Sequence, residues 1–348
     1  MNVFSDFESG AINFGNWDSK NKILRVSLTK NLKGEVNHWF YFGVKGAPKR
    51  MTIFFDNGMQ SRFSKGWYNY KPFTSVDNRI WERCDTAFNV QGGSISIDLN
   101  DLPQDFYFAW YPPYVPKLFN EHTGFSDYIN QIGNKKGKSI LITARHHPGE
   151  SMGSFFLDGL CAFLKSSDSG NLLSKYNIIV VPFVNIAGVN DGMHRTSYDG
   201  ADYNFAWFRQ DVDKINQIKG FIEDKPVVLY FDIHGDEVSK FNYLYYTGKK
   251  LRSIEPLLLD LQMRNKIALL HRSKYKYILK VLLKKHKLVS GIKNTVEYVE
   301  QNKGCAGFVY ELSAHSADPE ECRIQGKNLG LALDKYLSSM QPSISVST

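Results

Sequence analysis

Two short apolar runs in this chain each end in a histidine, and that pattern constrains the fold more than any other feature. Ser139-Ile140-Leu141-Ile142 leads into Arg145-His146-His147-Pro148-Gly149-Glu150. Val227 to Phe231 leads into Asp232-Ile233-His234-Gly235. Runs of this size, bounded by turn residues, are strand-length. In open α/β sheets the reactive groups belong at the carboxyl ends of the strands, so both histidines are expected on one sheet edge. Pro148 and Gly149 turn the chain sharply as it leaves the first strand, which lets His147 and Glu150 converge. Two neutral imidazoles and one carboxylate, with a fourth position left to water, make a catalytic site for one zinc ion. Taken alone, His-Pro-Gly-Glu is as well read as a surface turn with a solvated histidine. The matching strand-histidine element downstream moves the reading of His147, Glu150 and His234 to metal.

The texture of the chain changes near residue 115. Before it, alternation in Ile23–Leu28 and strand-like runs in His38–Val44, Met51–Phe55, Ser94–Leu99 and Phe106–Trp110 recur between Gly, Asn and Pro. Short aromatic and β-branched runs at that spacing predict an antiparallel β-sandwich over residues 1–115. Tyr111-Pro112-Pro113-Tyr114-Val115-Pro116 stiffens the chain into a boundary. Beyond it, helical patterns alternate with apolar strands: 139–143, helix 154–164, strand 178–184, helix 212–222, strand 227–231. Residues 253–288 read as helical, 308–310 as a strand and 323–340 as a closing amphipathic helix. That alternation predicts an α/β domain over 116–348 with a largely parallel sheet.

Composition excludes several classes. At 43% hydrophobic and 22% charged residues this is an ordinary globular chain. No secretory signal follows Met1, and no run approaches the ~18 apolar residues of a membrane span. The four cysteines lie apart, without metal-type spacing, as expected of free thiols in a reducing cytoplasm. The net charge of +8 fits solubility and equally an acidic substrate. Its densest part, Lys280 to Lys287, reads as a solvated helix face; no nucleic-acid fold signature accompanies it.

Other residues complete a constellation. Glu311 follows the apolar run Phe308-Val309-Tyr310. It is either a general base acting on water or a glutamate facing solvent at a strand end. The segment Asn185 to Arg195 is rich in Asn and Gly and ends in His194-Arg195. Arg195 either stabilises an oxyanion or pairs with a structural carboxylate. Asn204 is a hydrogen-bonding substrate contact or the head of an Asx turn.

In this order the motifs resemble the zinc metallocarboxypeptidases, in particular the cytosolic carboxypeptidase branch. The likeness covers nearly the whole chain. Phe7-Glu8-Ser9-Gly10, Trp39-Phe40-Tyr41-Phe42, Asn57-Gly58, Trp81-Glu82-Arg83 and Phe108 to Tyr114 resemble that branch's extra β-domain. His-Pro-Gly-Glu, the Asn-x-x-Gly-Val loop, Asp202-x-Asn204, Asp-x-His-Gly and the glutamate after a strand follow in order. The resemblance implies an α/β/α domain with a mixed sheet, zinc on His147, Glu150 and His234, Glu311 as general base and acid, and Arg195 as the carbonyl-polarising cation. It also implies Asn204 as a contact to the substrate carboxylate. Zinc carboxypeptidases are themselves an instance of this ligand set, so the agreement in ligand type is not independent of the resemblance.

One departure stands out. The family reads Asp-x-Asn-Arg-x-Trp, its arginine clamping the terminal carboxylate, whereas this chain has Phe205 there. Phe205 cannot bind an anion bidentately. Either another base such as Arg209 supplies the charge, or the substrate does not end in a simple carboxylate. Tyr298 is the candidate for the family's substrate-capping tyrosine, with a strand aromatic in the core as its other reading. The expectation is a cytoplasmic zinc hydrolase of a peptide or protein C-terminus, an acidic one being suggested by the charge and by glutamate-trimming members of the branch. Its rivals are an amidohydrolase or deacylase, which Phe205 favours, and a catalytically silent binding module. The sequence leaves the oligomeric state open.

Overall fold

The computed structural model describes residues 1–246, 251–271 and 294–339. The basic stretch 280–287 lies outside them. Ten strands fill the first part: β1 (Asn2–Phe4), β2 (Asn13–Asp18), β3 (Ile23–Ser27), β4 (Tyr41–Lys45), β5 (Met51–Phe55), β6 (Phe73–Ser75), β7 (Glu82–Arg83), β8 (Thr86–Gln91), β9 (Ser94–Leu99) and β10 (Asp105–Ala109). They form two five-stranded sheets, ordered β1-β4-β10-β6-β7 and β2-β3-β5-β9-β8. Pairing is antiparallel apart from β3 with β5, which run parallel. Alternation decides which side faces in: along β5 Met51, Ile53 and Phe55 are buried while Thr52 and Phe54 are half-buried. Between the sheets lies an aromatic core in which Phe40 stacks on Trp67 at 5.8 Å and on Phe108 at 5.2 Å.

The second part holds a seven-stranded sheet: β11 (Asn130–Gly133), β12 (Lys138–Ala144), β13 (Tyr176–Val181), β14 (Val227–Asp236), β15 (Tyr243–Tyr246), β16 (Ala268–His271) and β17 (Ala306–Ser313). Its order is β11-β13-β12-β14-β17-β15-β16. The four central strands are parallel, and β11 and β15 each join antiparallel. Period-2 alternation splits this sheet between two cores. Ile140, Ile142, Phe231, Phe308 and Tyr310 face the helices Met152–Lys165, Leu251–Asn265 and Pro319–Ser339. Leu141, Ile179, Tyr230 and Val309 face the helices Asp213–Ile222 and Thr295–Lys303. The result is the expected α/β/α layering, with a mixed, largely parallel sheet. The first of these cores also runs without a break into the β-rich part.

Two expectations are corrected. Residues 253–288 do not continue as one helix: the helix ends at Asn265, and Ala268–His271 pair in parallel with β15. Four apolar residues carry too little periodicity to separate a strand from a helical turn, and the open edge of β15 decides. Tyr298 lies on the helix Thr295–Lys303, not in a strand. That helix opens with a capping box between Asn294 and Glu297, a start signal overlooked in the sequence.

Candidate metal and catalytic centre

The strand β12 ends at Ala144, and the next residue, Arg145, takes a left-handed backbone with φ +60°. A long side chain there is strained, so contacts must hold it. Its buried guanidinium donates from Nε to the Pro148 carbonyl at 2.9 Å and from Nη1 to the Tyr114 carbonyl and Ser154 Oγ at 2.9 and 2.8 Å. The turn that follows is thus tied down from inside. Gly149 is required by close approach: a Cβ there would lie 2.5 Å from the His194 ring. Its N–H donates to the His194 carbonyl at 2.8 Å.

That turn brings the three expected ligands together. His147 Nδ1 is 2.6 Å from Glu150 Oε1, His234 Nδ1 is 2.9 Å from Glu150 Oε2, and the two ring nitrogens are 3.1 Å apart. All three side chains are buried. Two unlike-strand imidazoles aiming the same nitrogen at one carboxylate is the convergence a small cation requires.

The tautomer of His234 follows from a chain of contacts behind it. The indole N–H of Trp207 can only donate, and it reaches His146 Nε2 at 2.9 Å. Burial holds the His146 pKa below its ordinary value, so the ring is neutral and its Nδ1–H donates to Asp232 Oδ1 at 2.8 Å. The other Asp232 oxygen lies 3.0 Å from His234 Nε2 and takes that N–H. His234 Nδ1 is then left with its lone pair toward His147 and Glu150. A carboxylate behind a histidine fixes ring orientation and raises ligand basicity. Thr143 Oγ1 donates to the same carboxylate at 2.7 Å. Burial opposes charge on His234, but Asp232 and Glu150 outweigh it and hold its pKa well above the ordinary value. A proton therefore competes with any cation for this nitrogen.

The donor set fits zinc: two imidazole nitrogens and a carboxylate, all buried, with the His234 ring oriented by a second carboxylate.

Glu311 is delivered by register. In the parallel pair of β14 and β17, His234 stands opposite Glu311, so the two side chains leave the same face as neighbours. Burial pushes the Glu311 carboxyl well above the usual carboxylate range, and Glu150 and Asp236 add to this against the pull of His234 and Arg195. Arg195 makes the carboxylate pairing that was one of its two expected roles, and it reaches the cluster as well. Its Nε donates to Asp202 Oδ2 at 2.9 Å, while Nη1 lies 3.4 Å from His147 Nδ1.

The remaining candidates stand apart from this cluster. The Asn204 side-chain oxygen accepts from Thr295 Oγ1 at 2.9 Å, anchoring the 202–207 segment to the next helix. Tyr298 packs on Trp207 and Phe208 with centroids 5.6 and 5.2 Å apart. Arg209 is exposed and lies 3.3 Å from Asp211. Phe205 places its ring 5.5 Å from the Arg195 guanidinium.

Residues not singled out in the sequence prove to be central. His146 and Asp232 sit behind His234, and the adjacent histidines of the 145–150 motif were a signal for that. The β-rich part holds the segment carrying Arg195. The Ser9 N–H donates to the Asn190 carbonyl at 3.0 Å, Asn37 Nδ2 to the Gly192 carbonyl at 2.7 Å, and Asn31 Nδ2 to Thr196 Oγ1 at 3.1 Å.

Comparison with known proteins bears on the fold and the family resemblance. The cytosolic carboxypeptidase N-terminal domain family matches residues 3–111. Cytosolic carboxypeptidase 2 of Xenopus tropicalis is 32% identical over 274 residues, 61% of this chain and 28% of that protein. An uncharacterized protein of Zymomonas mobilis is 24% identical over 268 residues, 68% of each. The chain thus matches under a third of the Xenopus protein's length. The crystal structure of a metallo-carboxypeptidase from Burkholderia cenocepacia superposes with a TM-score of 0.83 at 20% identity, over 98% of this chain and 100% of that one. The fold is that of the metallo-carboxypeptidases, and the sequence resemblance to the cytosolic carboxypeptidases holds.

Proposed function

We propose that this chain, similar to the cytosolic carboxypeptidases along most of its length, is a cytoplasmic zinc metallocarboxypeptidase that removes a C-terminal residue from a peptide. We divide it into a β-domain over 1–115 and a catalytic domain over 116–348. The observation that carries the reading is the convergence of His147 Nδ1, His234 Nδ1 and Glu150 within 3.1 Å of one another, with Glu311 opposite His234 on the next strand. His147, Glu150 and His234 would hold one zinc ion, which supplies Lewis acidity to the scissile carbonyl and acidifies water.

The protein's own residues supply the rest. The Glu311 carboxylate takes a proton from the attacking water and later returns one to the leaving amine. Its raised pKa suits both duties, since a group that stays ionised at every pH makes a poor acid. Arg195, oriented by Asp202, donates to the oxygen that gains charge during attack. Asn204 would contact the substrate carboxylate through its side-chain amide. Among the described residues no helix is long and apolar enough to cross a membrane.

Phe205, where an anion clamp is expected, favours one rival reading, hydrolysis of an amide that bears no adjacent carboxylate. A panel of matched peptides with free and amidated C-termini, given to zinc-loaded protein, separates the two. Carboxypeptidase action predicts turnover of the free acids alone. Equal cleavage of the amides would replace it with the amidohydrolase reading. No cleavage of either by protein with one zinc bound would leave a binding module.

A further inference from the structure

The clamp position is apolar, yet the site is not without a second cation. Arg62 lies in the β-rich part, in the connection over 56–72 between β5 and β6. It lines a cleft of 530 Å³ together with Glu35, Asn37, His194 and Arg195, so this wall of the cleft comes from one part of the molecule and that wall from the other. Arg62 is exposed and makes no hydrogen bond or ion pair among the described residues. The one acid lining the cleft is engaged elsewhere, Glu35 Oε2 accepting from Asn31 Nδ2 at 2.9 Å. Arg195 already spends its Nε on Asp202. Partial desolvation and the Arg195 charge pull the Arg62 pKa down, against the pull of Asp202, Glu35 and Glu237, which places all of these charges within electrostatic reach of it.

The backbone beneath Arg62 is firm. Its neighbour Ser61 is buried. Ser61 Oγ donates to the Gly58 carbonyl at 2.7 Å, accepts from Trp67 Nε1 at 3.0 Å and lies 2.9 Å from His38 Nδ1. The backbone that carries this cation is therefore held in place, while its guanidinium is left for a ligand. Arg209, the other base considered for the role, is turned toward Asp211.

We propose that Arg62 binds a carboxylate of the peptide substrate in the cleft it shares with Arg195, so that the β-domain supplies the cation missing at Phe205. The guanidinium fork matches a carboxylate bidentately. This deepens the hydrolase reading and rests on it for the identity of the substrate. The carboxylate is either the terminal one of the leaving residue or an acidic side chain just upstream, and the test tells them apart.

The experiment uses the full chain loaded with zinc and a peptide ending in Glu-Glu. Arg62→Ala should raise KM by about tenfold or more, as loss of a charge-assisted contact does, with kcat little changed, and Arg62→Lys should restore part of the loss. The same penalty is then measured by calorimetry for binding to the Glu311→Gln chain of three peptides: the parent, its C-terminal amide, and a version with Gln in the penultimate position. If the penalty vanishes for the amide, Arg62 holds the terminal carboxylate; if for the Gln peptide, the upstream side chain. The proposal is overturned if Arg62→Ala leaves every KM and affinity within about twofold, the scatter of an ordinary surface substitution, or if Arg209→Ala produces the penalty instead. The two readings can fail separately. Cleavage insensitive to Arg62 sinks the subsite alone, whereas Arg62-dependent binding without cleavage sinks the hydrolase alone.

Discussion

The β-rich part and the carboxyl edge of the seven-stranded sheet bury opposite kinds of material. The first packs rings: Phe40, Phe42, Phe55, Trp67 and Phe108 are each at most 2% exposed, touching through faces and edges. The second buries ionisable groups, His146, His147, Glu150, Asp232 and His234, equally dry. Apolar burial is non-directional and adds up from many small contacts. Buried charge is tolerable only where every donor meets an acceptor. The difference teaches that stability and chemistry are built separately here, and substitutions should divide accordingly.

The sharpest division comes from Glu311→Gln. It should lower kcat by about 10²- to 10⁴-fold while zinc content and melting temperature stay close to the parent's. A fully active variant would remove Glu311 from the mechanism. At the other region, Phe40→Ala should cost about 3–5 kcal/mol of stability, the transfer and cavity terms together, read from denaturant unfolding. The surviving folded fraction should still bind one zinc. If it lost metal instead, the two regions would not be separable in this way.

Trp207→Phe tests the orienting chain behind His234. It deletes the indole donor that selects the His146 tautomer, leaving a ring of similar shape. Zinc affinity should fall by about 10- to 100-fold, as loss of an outer hydrogen-bond partner does. Competition against a calibrated chelator measures this, and an unchanged affinity would show that Asp232 needs no such support. The smallest effect is in the pH dependence of metal loading. Because the folded-state pKa of His234 is raised, a proton occupies the ligand nitrogen up to a pH above the ordinary histidine range. Affinity should weaken by about tenfold per pH unit below that point and flatten above it. A curve already flat at pH 6 would contradict the assignment of that proton.

Legibility followed the range of the interactions. His-Pro-Gly-Glu and Asp-x-His-Gly announced themselves because proline, glycine and a strand end are local features, and strands such as β5 announced themselves by alternation. Ala268–His271 did not, since only the neighbouring edge of β15 makes it a strand. His146 looked redundant beside His147. Its use depends on Trp207 and Asp232, residues that meet it only across the fold. Arg62 carries no motif at all, and what it faces is set by how the two parts pack.

The order of elements, the α/β class, the candidate ligand types and the absence of an arginine at 205 were determined by the chain alone, because backbone periodicity and turn chemistry act between near neighbours. Which nitrogen of His234 is free, which acid stands opposite it and which cations share its cleft were decided by the tertiary structure. Those are matters of a few ångströms between groups far apart in sequence, and only the packed sheet and the β-rich part laid against it supply that precision.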